Sequence, residues 1–153
     1  MDALEILKQM HTEAKSAFQQ IEHAGPDQRG SLWSKLRPEL VAHEQIEERF
    51  VYDPVAKEAG NRDSMLADWE QRHHQEVGEA EAMIREIGGL EPRDGQWLER
   101  VGRLRMTLEG HIQTEETEIW PKIREVWRSD RLERAGAEVQ AAKSGGGSHE
   151  AAA

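Results

Sequence analysis

The feature that most restricts the fold is the spacing of apolar residues, which repeats at intervals of three and four along almost the whole chain. From Asp2, an N-cap candidate with Glu5 at the capping-box position, Leu4, Leu7, Met10, Ala14, Phe18 and Ile21 follow this spacing until "GPD" ends the stretch. A second helical stretch runs from about Ser31 to Glu58 through Leu32, Leu36, Leu40, Ile46 and Phe50, with kinks expected at Pro38 and Pro54 and a stop at Gly60-Asn61. A third covers about Arg62 to Ile87 (Leu66, Trp69, Val77, Ala80, Ile84). After the turn "GGLEPRDG", a fourth covers about Gln96 to Trp127 (Leu104, Leu108, Ile112, Ile119, Ile123), bent before Pro121. Beyond Asp130 the polar, Ala-rich sequence ending in "KSGGGSHEAAA" reads as a flexible tail. A helix with one apolar stripe must bury it against a neighbour. Four such helices on short connections therefore predict an all-α, up-down-up-down four-helix bundle over residues 1–128, followed by a flexible tail over 129–153.

A length of 153 residues suits one domain with a real core. The chain carries 20 Lys and Arg against 30 Asp and Glu, a formal charge of −10, which argues against nucleic acid and against an anionic membrane surface as partners. No apolar run approaches the roughly 20 residues of a membrane span, and "MDALEILKQM" lacks the layout of a signal peptide, so a soluble cytoplasmic protein is expected. With no cysteine, thiolate nucleophiles, iron–sulfur clusters and thiolate zinc sites are excluded. Any metal must sit on histidine and carboxylate.

The histidines fall into a pattern. "HEQIEERFVY", residues 43–52, returns as "HIQTEETEIW", residues 111–120. Each predicted helix carries histidine near its middle: His11, then His43, then the pair His73-His74, then His111. On the second and fourth, Glu47 and Glu115 follow four residues on, one turn along the same face. In an antiparallel bundle these heights coincide, so the residues can meet in the core. Ile46 and Ile112 on adjoining faces point the same way. Taken singly, a core histidine or a His/Glu surface pair is unremarkable. Taken together, burying this many ionisable groups without a counter-charge costs several kcal/mol per ion. A metal supplies that counter-charge, and an oxygen-rich set with imidazole suits iron, with manganese as the alternative.

The set His11, "HEQIE", "HHQEV" and "HIQTE", with the aromatic-proline endings "VYDP" and "IWP", resembles the H, HxxxE, H, HxxxE signature of hemerythrin-like (HHE cation-binding) domains over about residues 3–127. The resemblance implies two iron ions, bridged by carboxylates and by an oxo or hydroxo group. It also implies His11, His43, Glu47, His74, His111 and Glu115 as metal ligands. On the third helix the order of neighbours favours His74, which like His11 has Glu at +2 and an apolar residue at +3. His73, four residues after Trp69 and nearer the centre of the apolar stripe, is the alternative.

Oxygen carriers of this family have a further histidine four residues on, where this chain has Gly78, so the resemblance implies an open position beside one iron. Glu44 is a further ligand candidate. Tyr52, rotated about 140° from Glu47 on a regular helix, reaches the metals only if the helix distorts before Pro54, and packing is its expected role. Glu48 and Glu116, about 100° round from the ligand carboxylates, are not expected to bind metal. The five Trp are read as packing residues. The implied function is binding of, or reaction with, O2, peroxide or nitric oxide, including catalase-like peroxide consumption. The alternative is an iron- and O2-responsive interaction module.

Overall fold

The computed structural model describes residues 1–152, with side chains described through residue 145. Four long helices and a fifth at the C-terminal end make up the chain, and there is no strand among the described residues. Helix α1 (Ala3–His23) is followed by α2 (Pro26–Glu47). Helix α2 continues through a π-helical turn, π1 (Glu48–Tyr52), into α3 (Asp53–Ala59). After α4 (Ser64–Gly88), α5 (Gly95–Thr114) continues in the same way through π2 (Glu115–Ile119) into α6 (Trp120–Val126), and α7 (Ser129–Ala152) follows. The expected all-α bundle is thus formed by α1, α2–α3, α4 and α5–α6.

The helix ends show why the chain divides here. Asp2 caps α1 through a reciprocal box: the Glu5 N–H donates to the Asp2 carboxylate (2.9 Å) and the Asp2 N–H to that of Glu5 (3.3 Å). Asp63 and Asp94 accept from the N–H groups of Met65 and Gln96 and start α4 and α5. Helix α2 begins at Pro26, earlier than the expected Ser31, because proline at the first helical position has the right φ and no N–H to waste. Pro38 sits within α2 without ending it.

Residues 129–145, expected as part of the tail, are helical. Leu132, Ala135 and Val139 form a narrow buried stripe, and α7 packs against α1 and α2. Gly136 lies directly on the start of α1: a Cβ there would stand 2.5 Å from the Met1 carbonyl oxygen, so a larger residue would lift α7 away. Arg131 stacks over Trp127 (4.0 Å) and forms a two-pronged bond to Glu58 (2.7 and 3.0 Å), tying α7 to α3. The part of the expected tail from residue 146 lies outside the described side chains.

The core consists of two apolar clusters. One gathers Leu4, Leu7, Val51, Leu66, Ile123 and the α7 stripe; the other gathers Phe18, Ile21, Leu36, Ile87, Leu104 and the edge-to-face pair Trp33–Trp97 (6.3 Å). The buried polar residues among those described are His11, Glu47, His73 and Glu115, toward the middle of α1, of the continuous α2–α3, of α4 and of the continuous α5–α6. No helix among the described residues is long and apolar enough to cross a membrane.

Candidate metal centre

Glu47, at the C-terminal end of α2, is the hub. Its Oε1 lies 3.0 Å from His11 Nε2 and contacts His43 Nε2, while its Oε2 lies 3.0 Å from His73 Nε2. Glu44, one turn back on α2, approaches His73 Nε2 to 3.3 Å. Of three groups of potential ligand atoms among the described residues, each within 4.8 Å of one another, two share one carboxylate: His11, His43 and Glu47, and Glu44, Glu47 and His73; the third, Asp53, Glu70 and His74, lies apart and less buried. Glu115 Oε1 stands 3.6 Å from His11 Nε2, and its Oε2 accepts the Tyr52 hydroxyl at 2.7 Å.

The two π turns complete this arrangement. In each the backbone N–H reaches back five residues, from Asp53 to the Glu48 carbonyl and from Trp120 to that of Glu115. A regular helix would turn the fifth residue away from the ligand face; the wider turn brings it back. Proline supplies the reason for the widening, since the rings of Pro54 and Pro121 would meet the carbonyls of Phe50 and Thr117 in a regular helix. Tyr52 consequently stacks on His73 (centroids 4.2 Å, 18° between planes) and Trp120 on His11 (5.0 Å, 10°).

The second glutamate of each repeat also has a place. Glu116 accepts from His11 Nδ1 at 2.9 Å, on the side of the ring away from Glu47, and Glu48 lies 3.8 Å from His73 Nδ1. Each ten-residue repeat thus does the same job for a histidine on another helix. Glu47, Glu48 and Tyr52 surround His73; Glu115, Glu116 and Trp120 surround His11. The Glu-Glu doublet present in both repeats was the sequence signal for this role.

One expected ligand is displaced by a residue. The His73 side chain is 4% exposed and faces Glu47, whereas His74 is 51% exposed and pairs with Asp53 (3.0 Å) and Glu48 (3.2 Å) at the surface. Leu66, His73, Val77, Ala80 and Ile84 form one buried stripe on α4, and His74 is turned about 100° out of it. Gly78 follows His74 to the surface, with nothing within 4 Å of where its Cβ would be, so it opens no position in the core. The residue one turn beyond His73 is the buried Val77. His111 belongs to neither tight group; its Nε2 is 3.8 Å from Glu76 on α4, a carboxylate that sequence reasoning missed.

Electrostatics mark the cluster as short of positive charge. Burial disfavours a charged ring at His43 and His73, yet the carboxylates outweigh it: Glu47 and Glu44 hold His43 above its ordinary range, and Glu44 and Glu47 push His73 to about 10. Burial would also raise Glu47, but His43, His11 and His73 hold it well below the usual carboxylate range. Glu115 goes the other way, because burial and the nearby Glu47 push it well up. Burial and then Glu115 raise Tyr52 as well.

The hemerythrin HHE cation binding domain model matches residues 2–123. A solved HHE cation-binding domain-containing protein from Mycobacterium kansasii is similar over 97% of this chain and 89% of its own, with a TM-score of 0.79 and 22% identity, a likeness of fold. A curated protein named as a DNA nickase, from Nostoc sp., is 23% identical over 145 residues. That match covers 94% of this chain but only 40% of the relative, so the chain spans about two fifths of that protein's length.

Proposed function

The chain belongs to the hemerythrin HHE cation-binding domain family, and on that premise we propose that it holds two iron ions and binds or reacts with O2, peroxide or nitric oxide. The observation that carries this reading is Glu47, whose two oxygens divide between two sets of ligand atoms, as a carboxylate bridging two cations would. The donors present fit iron: imidazole from His11, His43 and His73, with His111 near by, and carboxylate from Glu44, Glu47 and Glu115. Cations there would also relieve the repulsion that raises Glu115. When bound, such a pair supplies two adjacent redox-active centres that take small ligands. The chain's own residues position and shield them. Glu116 fixes the ring of His11 from behind, Glu48 stands 3.8 Å behind that of His73, the Tyr52 hydroxyl orients Glu115, and apolar clusters flank the centre on either side.

Protein produced with iron is expected to carry two irons per chain by elemental analysis, with charge-transfer absorption in the near ultraviolet that azide or nitric oxide perturbs. A stoichiometry of one iron, or of zinc alone, would contradict the reading. The outer carboxylates should tune affinity without changing stoichiometry. Glu116→Gln is expected to weaken iron binding by about 10-fold or more in competition with a chelator. Glu48→Gln should weaken it less, since Glu48 stands 3.8 Å from its ring nitrogen against 2.9 Å for Glu116. Equal competition by both variants and the unaltered chain would remove this role.

A further inference from the structure

A cavity of about 270 Å³ runs from the metal-ligand cluster along the inside of α1, α2 and α5. At one end stand His11, His43, His111 and Glu115; much of the wall is apolar, formed by Phe18, Leu36, Leu40, Ile46, Leu108 and Ile112, and the carboxylates of Glu13, Glu39, Glu44 and Glu109 also border the space. Leu36, Leu40 and His43 lie along one face of α2, so the apolar part extends roughly 10 Å from the cluster at 1.5 Å per residue. Lys15 of α1 and Ala142 and Lys143 of α7 lie at the cavity's border, so the fifth helix contributes to its outer wall.

This space is far larger than a diatomic molecule or hydrogen peroxide requires. A water molecule's share of liquid is about 30 Å³, and a cavity of about 150 Å³ lined by aliphatic and aromatic side chains takes up benzene. Along the six apolar wall residues an ordered water, which needs two to four polar partners, finds none on their side chains, so that stretch favours an apolar filling while water suits the polar ends.

We infer that the cavity binds an apolar organic molecule of about eight or nine heavy atoms with one oxygen-bearing end, an alkyl hydroperoxide or alcohol. Its chain lies along the Leu36–Leu40–Leu108 wall and its polar end at the His11–His43–Glu115 cluster. The inference deepens the peroxide reading above and rests on it for the polar end, while the apolar wall stands independently of any metal.

The test uses 1-octanol as an unreactive probe, with calorimetric titration and thermal shift on the full chain, both iron-loaded and chelator-stripped. Saturable binding of one octanol per chain is expected in both states. Ala14→Phe, which places a ring in the cavity from α1, is expected to weaken binding at least about 10-fold while iron content stays at the unaltered level. Ala42→Phe fills the cavity from α2 and serves if the first variant does not fold. With a two-electron donor such as ascorbate supplied, loaded protein should also reduce an eight-carbon hydroperoxide to 1-octanol and water in preference to hydrogen peroxide, and the filling variants should lose that preference. Absence of saturable octanol binding to the unaltered chain would overturn the inference, as would equal binding by the filled variants. Octanol binding by a chain that never takes up iron would support the cavity site while overturning the di-iron reading. Full iron loading without octanol binding would do the reverse.

Discussion

His73→Ala is expected to release at least one of the two proposed metal ions, whereas His74→Ala should keep both. His73 Nε2 faces Glu47 and Glu44 inside the bundle, while His74 is a surface residue paired with Asp53 and Glu48. An exposed pair of that kind contributes about 0–1 kcal/mol, so the thermal midpoint of the His74 variant should stay close to that of the unaltered chain. The His73 variant loses stability in two ways. Truncation leaves Tyr52 without its stacking partner, and the loaded protein loses the stabilisation that a cation bound only to the folded state provides, about 2.7 kcal/mol when the free ion is at 100 times its dissociation constant. Comparing stripped and loaded forms separates the two effects. Loss of metal from His74→Ala with retention in His73→Ala would reverse the assignment.

Glu115→Gln should change stability in opposite directions in the two forms. In the stripped protein, burial and Glu47 raise the Glu115 carboxyl well above its ordinary value. A carboxyl raised in this way costs nothing below about pH 4.5, where folded and unfolded chains both hold the proton. The cost grows as the pH rises from there toward the folded value, because the unfolded chain ionises first. Glutamine never ionises, so at pH 7 the stripped variant should be more stable than the stripped parent, by on the order of 1 kcal/mol or more. That corresponds to roughly 2–4 °C per kcal/mol for a chain of this size. The advantage should vanish near pH 4. The amide still accepts the Tyr52 hydroxyl through its carbonyl oxygen, so the geometry is retained. If Glu115 is a ligand of the proposed iron pair, the order reverses with iron present, since a neutral amide is a poor replacement for a ligating carboxylate. Thermal scans at pH 4 and 7, with chelator and with iron, decide the matter; a loss of stability in both forms at pH 7 would contradict the account.

The bundle and most of its cluster were legible because they depend on periodicity. Buried stripes such as Leu4, Leu7, Phe18 and Ile21 follow from helical spacing alone, and Glu47 and Glu115 follow from the same count applied to His43 and His111. His73 was legible by that count too, one turn after Trp69 and one before Val77. Matching the near neighbours of His74 to those of His11 favoured the exposed member of the pair, because a helix sorts residues by angle and not by neighbour identity. The π turns were less accessible. Regular helical geometry sends Tyr52 and Trp120 away from the cluster, and only the following prolines hint that the geometry is not regular. Helix α7 was obscured by composition. Among the described residues its buried apolar stripe is Leu132, Ala135 and Val139, in a run of charged residues, alanine and glycine, and tertiary packing rather than apolar content decides that it folds.

The division of the core into two apolar clusters around a polar layer bears on how cooperatively the molecule unfolds. Each cluster is a unit of continuous packing, but across the layer contact passes through ionisable groups whose mutual repulsion is only partly balanced. Without a cation, amides in the half that holds Trp33 and Trp97 can open to exchange separately from those in the half braced by α7, as two subglobal units with different opening energies. Ligands drawn from several helices tie both halves to one point. Occupancy of the centre would then register as fusion of two exchange classes into one, a change in the order of unfolding rather than in shape.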